Sequence, residues 1–322
     1  MAEAMHRALW LTLLVLVIAL LPPLMAVALF VPPLLMYGLL ANRTPAMPLQ
    51  GKTVLVTGGS SGLGKALAFE AARRGAAKVI LSARRREPLE AAAVELTAAH
   101  PSCTAVVEPC DITDPDAVVA VASKIVAEHG APDLLCNNAG AGAWHHIEDG
   151  TNADALFHIA CPYLGAVYLT KALVPAMAER GSGHVLNVTS ASSIAGFRAA
   201  ATYGSSRWAM RGLSQYLRAD LAEMGIGVTL LNAGEIADTA YFSAENAGAE
   251  SHGNIPWLFL LPPVRALSYN TARVARVALY AVESGTHESL VPLHLLGPSK
   301  LLSDLLPDVL HYSLRLGPNG RR

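Results

Sequence analysis

In the stretch YGSSRWAMRGLS, a tyrosine (Tyr203) and an arginine (Arg207) stand four residues apart. On a helix that spacing puts both side chains on one face, so a phenol and a permanent cation are aimed at one point. The chemistry open to such a pair is proton transfer. A phenol with an ordinary pKa of about 10 becomes an acid or base near neutrality only where a nearby cation stabilises the phenolate. A second set of residues points to phosphate. Thr57-Gly58-Gly59-Ser60-Ser61-Gly62-Leu63-Gly64 follows the apolar run TVLVT and opens a helical pattern. Glycines there let the backbone turn sharply and approach a pyrophosphate, whose charge is favoured at a helix N-terminus. After the next apolar run, VILSA, come Arg84-Arg85-Arg86. A carboxylate at that strand end would accept the ribose hydroxyls of NAD and repel a 2′-phosphate. Guanidinium groups pair with phosphate instead, so NADP(H) is expected over NAD(H), with Arg84 as the principal contact.

The elements that must position these residues alternate. TVLVT precedes a helix from about Gly62, KVILSA a helix from about Glu87, and TAVVEPC a helix over 115–129. DLLCN, HVLNVTS, VTLLN and SLVPL continue the series. Short apolar runs between helical patterns predict an α/β fold, a doubly wound parallel sheet with helices on both faces.

Composition limits the function classes. The 322 residues are 52% hydrophobic and 15% charged, with a formal net charge of −1. That balance provides no basic face for nucleic acid. Cys103, Cys110, Cys136 and Cys161 show no CxxC spacing and read as buried free thiols in a reducing compartment. His145-His146 lack clustered carboxylate or thiol partners and read as loop histidines, so no metal is expected. Trp144 beside them reads equally as a pocket wall or a packed anchor.

The run from Ala8 to Ala41 contains no charged residue. About 20 apolar residues span a bilayer, so a membrane anchor is expected over residues 1–46, followed by one domain over 47–322. Pro22-Pro23 and Pro32-Pro33 interrupt the run, which fits either one kinked span or a hairpin that dips into one leaflet; the single span is preferred. The expected location is an intracellular membrane such as the endoplasmic reticulum. Asn42-Arg43-Thr44 forms a glycosylation sequon directly beside the anchor.

Cys136-Asn137-Asn138-Ala139-Gly140 follows one strand, Ser190 ends another, and Tyr203 opens the long helix. With TGGSSGLG, these motifs in this order resemble the short-chain dehydrogenase/reductase family from about Gly51 onward. The resemblance implies a single Rossmann-like domain with a seven-stranded parallel sheet. It implies Asp111 on the adenine, Asn137 bracing the strand beside the cofactor, and contacts from Ala139, Gly140, Ile236 and Thr239. In such enzymes a serine thirteen positions before the tyrosine orients the substrate oxygen, and that position is Ser190. Tyr203 would exchange the proton and Arg207 would tune it and hold the ribose. The expected reaction is hydride transfer between nicotinamide and a carbonyl or secondary alcohol of a lipophilic molecule such as a lipid ketone, steroid or retinoid. Homodimers are frequent in the family.

Three positions depart from the family pattern. Arg207 stands where lysine is usual, Pro162 where many members carry a relay asparagine, and Ala233-Gly234 where Pro-Gly is usual. Those departures support an alternative, a nucleotide-binding module without turnover, tethered for interaction or redox sensing. The apolar run Ile255–Leu261, which includes Trp257, could line a lipophilic pocket, touch the membrane or pack on the core. The C-terminal stripe of Leu302, Leu305, Leu306, Val309 and Leu310 is expected to pack on the core as a helix limited by Pro307.

Overall fold

A computed structural model of the protein describes residues 44–140, 142–239 and 268–309. The uncharged run Ala8–Ala41, Asn42, the Ile255–Leu261 run and Leu310 lie outside the described residues, whereas Thr44, at the end of the expected anchor, bonds to Gly285 and Val228.

Seven strands form one parallel sheet: β1 (Thr53–Thr57), β2 (Lys78–Ser82), β3 (Thr104–Val107), β4 (Leu134–Asn137), β5 (Gly183–Ser190), β6 (Ile226–Ala233) and β7 (Glu288–Val291). Their spatial order is β3-β2-β1-β4-β5-β6-β7. The chain therefore winds outward from β1 to β3, then returns to the other side of β1 to lay down β4. Ligands of such sheets bind beyond the strand C-termini at this switch. Sequence and structure agree on all seven strands; the central ones are buried on both faces, as a sheet covered on both sides requires, and the edge strands β3 and β7 are only partly buried.

Two helical layers cover the sheet. Leu67 and Ala71 of α1 (Gly62–Arg73), Leu89 and Leu96 of α2 (Arg86–Ala99), and Val274 and Leu279 of α7 (Thr271–Glu283) share one core with Val54, Val56, Val79 and Leu81. On the other face Val118 and Ile125 of α3 (Pro115–His129), Leu169 and Leu173 of α5 (Gly165–Arg180), and Leu221 of α6 (Ala201–Leu221) close over Leu55, Ile80 and Leu135. Each fully buried leucine contributes roughly 1.5–3 kcal/mol. The alternation of in-facing residues along β1 and β2 divides that burial between the faces.

The segment before α5 is irregular. Helix α4 (Asn152–Ile159) starts at a capping box made by Thr151 and Asp154. It runs into a single π turn, Ala160–Leu164, that contains Pro162 and closes with Gly165 N–H on the Ala160 carbonyl. Proline has no amide hydrogen for the ordinary helical bond, and a wider turn is the local accommodation. Asn152–Arg180 as a whole is long and apolar enough to cross a membrane. Its α5 part, however, packs its buried leucines on α3 and the sheet, as a core helix does.

The C-terminal stripe corrects an expectation. Helix α8 spans Leu293–Leu305, earlier than the spacing suggested, and stops short of Pro307, which disfavours helix in the residue before it. Leu305, Leu306 and Val309 are exposed and Leu302 is half-buried; the leucine that enters the core is Leu296.

Candidate active site

A cleft of about 580 Å³ lies beyond the strand C-termini. Its nucleotide end is made of backbone. Gly58 (φ +69) and Gly62 (φ +52) occupy the left-handed region that other residues avoid. A Cβ on Gly64 would fall 2.1 Å from the Gly58 carbonyl oxygen, so only glycine lets α1 start this close to the turn. Ser61 at the helix N-cap makes no side-chain capping bond, and the first turn holds no acidic residue. The initial amides of α1 and the positive end of its dipole thus face a phosphate-sized cradle. A dinucleotide pyrophosphate fits there. Ser60, Ser61, Leu63 and the glycines Gly58, Gly62 and Gly64 all line it.

Neither Thr57 nor Asn137 lines the cleft. The Thr57 hydroxyl donates to the Cys136 carbonyl (3.1 Å) and accepts from the amides of Asn138 and Ala139 (3.0 Å each). It ties the glycine loop to the loop after β4. Asn138, absent from the expected set, lines the cleft and donates from Nδ2 to the Thr57 carbonyl (2.9 Å). Asn137 is spent inside the core, where its Nδ2 donates to Thr170 Oγ1 (3.1 Å) and Asn187 Oδ1 (2.9 Å). Both residues brace the site from behind. Their polarity marked them in the sequence, but only burial and partners distinguish a brace from a contact.

At the adenosine end, Arg84 lines the cleft beside Ser82 at the end of β2, and so does Arg85. Arg86 faces outward to Glu90 (3.4 Å). Asp111 also lines the cleft, its Oδ1 accepting from the amide (3.0 Å) and hydroxyl (2.8 Å) of Thr113.

At the chemical end three elements converge. Ser190 ends β5, and its neighbours are resolved by their partners. Ser193 is fully buried with its hydroxyl on Asn232 Oδ1 and the Ser190 carbonyl (2.7 Å each), Ser192 is buried, and the Thr189 hydroxyl donates to the Arg207 carbonyl (3.0 Å). Ser190 is the serine that lines the cleft, held by the Ser192 amide on its Oγ (3.3 Å). Tyr203 and Arg207 stand one turn apart on α6, both lining the cleft at 4% and 5% exposure. The Arg207 guanidinium carbon sits 4.8 Å from the Tyr203 ring centroid. A Cβ on Gly140 would fall 2.7 Å from Arg207 Nη2, so the glycine of the Asn-Asn-Ala-Gly motif makes room for the arginine fork. Ala139 and Gly140 line the same wall.

Aromatic residues complete this end. Trp144 stacks on Phe197 (6.0 Å between centroids) and tilts against Tyr203 (6.1 Å), so it is both wall and anchor. Phe157 and Phe197 also line the cleft. Neither His145 nor His146 does; the first makes a parallel bridge to Ala200. Ile236 and Thr239 line the rim, where Ile236 bridges Tyr269 and Asp238 accepts from the amide and hydroxyl of Thr271 (2.7 and 2.9 Å). The cleft thiol Cys110 is pushed up to about 11 by burial, reinforced by Asp111 and Asp114, which leaves it protonated. Among the described residues Glu108, Glu128 and His129 come within ligand range of one another, but Lys124 already pairs with Glu108 (2.8 Å).

Sheet order, glycine turn and cleft define a dinucleotide-binding fold with a serine–tyrosine pair at its chemical end. The short chain dehydrogenase family model matches residues 52–250, and the chain belongs to that family of nicotinamide-dependent oxidoreductases. It is 30% identical over 292 residues to rat dehydrogenase/reductase SDR family member 7B, covering 88% of this chain and 83% of that one. It is 33% identical over 209 residues to a Drosophila melanogaster dehydrogenase/reductase SDR family protein 7-like, covering 64% of each, less than two thirds of the fly protein's length. Among solved structures, a metagenomic short-chain oxidoreductase in complex with NADP superposes with a TM-score of 0.62 at 26% identity, over 76% of this chain and 97% of that one. A Burkholderia phymatum family structure reaches 0.70 at 22% identity, which speaks for the fold alone.

Proposed function

We propose that this protein is a membrane-anchored, NADP(H)-dependent oxidoreductase that interconverts a carbonyl and a secondary alcohol on a lipophilic substrate. The observation that carries the reading is the convergence of Ser190, Tyr203 and Arg207 in the cleft that begins at the glycine loop. When bound, the nicotinamide supplies or accepts the hydride. The Ser190 hydroxyl holds the substrate oxygen. Tyr203 Oη gives that oxygen its proton in reduction and takes it back in oxidation. Arg207, whose guanidinium lies over the ring, favours the charge left on the phenolate, and it would hold the nicotinamide ribose. Its planar fork supplies the same charge as lysine with a different donor geometry.

Arg84 and Arg85 at the end of β2 support NADP(H), as does the metagenomic family member solved with NADP. Trp144, Phe157 and Phe197 support an apolar substrate. The uncharged run from Ala8 to Ala41 supports a membrane anchor, and a substrate dissolved in that membrane would meet the cleft at high local concentration. Removal of residues 1–46 should then release the protein from membranes. Sedimentation that persists would assign a second contact, with exposed Leu301, Leu305 and Val309 first to test.

One observation favours a second reading. Pro162 brings no polar group to the position of the family's relay asparagine, which fits a chain that binds nucleotide without turning it over. The test is consumption of NADPH by the full chain against a panel of lipophilic ketones. Turnover with any of them supports the reductase; tight NADPH binding without turnover supports the second reading.

A further inference from the structure

We infer that His158 is a positioning residue that clamps the loop carrying Trp144 to the catalytic helix. The inference rests on the reading of Tyr203 as the proton donor for its functional meaning, but not for its geometry.

His158 lies on α4, one turn before Pro162, and is 1% exposed. The Thr151–Asp154 capping box fixes where the helix begins and so which face turns inward. Its ring bridges two separate elements. Nε2 accepts the Ala143 amide at 2.9 Å, and Nδ1 lies 2.9 Å from Thr202 Oγ1. An acceptor Nε2 is unprotonated, so in the neutral ring the proton is on Nδ1 and is donated to Thr202. Ala143 precedes Trp144, and Thr202 precedes Tyr203. The imidazole also stands edge-on to the Tyr203 ring at 6.2 Å and 82°. One side chain therefore sets the separation between the tryptophan and the tyrosine, whose tilted rings lie 6.1 Å apart. His158 is not part of the cleft lining, so it acts through these neighbours.

The clamp needs a neutral ring. Protonation places a hydrogen on Nε2, where it faces the Ala143 N–H and ends that bond. The charged groups around the ring are Asp154 on its own helix, Arg207 on α6 and His145 on the loop. Burial holds the ring below the usual histidine range; Asp154 opposes that shift, and Arg207 and His145 add to it. The clamp is thus closed at neutral pH and opens on acidification.

The test compares the full-length wild type with His158→Gln and His158→Leu in detergent micelles. Glutamine offers one acceptor and one donor and takes up no proton; leucine offers neither. Hydrogen exchange at the Ala143 amide should be protected in the wild type at about pH 7.5 and lose protection progressively as the pH falls below the usual histidine range, after correction for intrinsic rates. Protection should be independent of pH in His158→Gln and absent in His158→Leu. With a lipophilic ketone and NADPH, kcat should fall about tenfold in His158→Leu and largely recover in His158→Gln, with NADPH affinity unchanged in both. Equal Ala143 protection in all three proteins would overturn the clamp. A wild type without turnover would instead defeat the reductase reading, and the exchange result would still decide this inference.

Discussion

At the nucleotide end of the cleft the contacts are backbone: two glycines with positive φ, a third against a carbonyl, and the first amides of a helix. At the chemical end they are side chains from β5 and α6, with aromatic rings behind them. The first end is tolerant of side-chain identity except where a Cβ cannot fit. The second depends on identity throughout, and it holds Arg207, where the family resemblance leads one to expect lysine. A backbone site fails by collision, whereas a side-chain site fails by loss of one atom.

The largest effect should come from collision. Gly64→Ala puts a methyl 2.1 Å from the Gly58 carbonyl oxygen, which only movement of the glycine turn can relieve. NADPH affinity should fall on the order of 100-fold by calorimetry. Unchanged affinity would place the pyrophosphate elsewhere. At the other end, Arg207→Met removes the charge from the tyrosine ring and should lower kcat on the order of 100-fold. Arg207→Lys should stay within about tenfold of wild type, because lysine keeps the charge on a stem that can reach the same place. If methionine and lysine behave alike, Arg207 serves packing under Gly140 and not chemistry.

A smaller effect tests the arginines. Arg84→Asp should weaken NADPH binding about tenfold and spare NADH, since a carboxylate repels the 2′-phosphate. Parallel loss of both would mean that Arg84 supports the loop without reading the phosphate.

The smallest effect lies outside the cleft. His184 on β5 is buried among Gly227 and Pro45, with Nε2 at 2.9 Å from Thr229 Oγ1, and burial pushes it down to about 4. As pH falls below about 6.5 the unfolded chain takes up a proton that the folded chain refuses, so stability drops. The loss should reach about 1 kcal/mol near pH 5.5 and continue toward pH 4. His158, also held low, adds to it in the same direction. Thermal melts of His184→Gln across that range should show a shallower decline; an identical slope would assign the pH dependence to other groups.

The sequence made the sheet legible because every strand is a short apolar run flanked by turn residues and followed by a helical pattern. The glycine loop, Ser190, Tyr203 and Arg207 were legible because motif order and spacing carry them. Thr57 was misplaced with the nucleotide loop because a polar residue at a strand end reads alike whether it faces cofactor or braces a loop. Asn138 and Arg85 were missed because each adjoins a stronger candidate. The C-terminal stripe was misread because leucine spacing specifies a helical face but not what covers it. His158 left no signal at all: a lone histidine on an amphipathic helix is silent until its two partners, at Ala143 and Thr202, are known.

The most direct test of the account is Tyr203→Phe in the full-length protein, with NADPH binding and NADPH-dependent reduction of a lipophilic ketone measured on the same preparation. The substitution removes one hydroxyl and leaves the ring against Trp144, His158 and Arg207. The account predicts wild-type NADPH affinity and loss of turnover. Turnover equal to wild type would contradict it and move the proton donor to another residue.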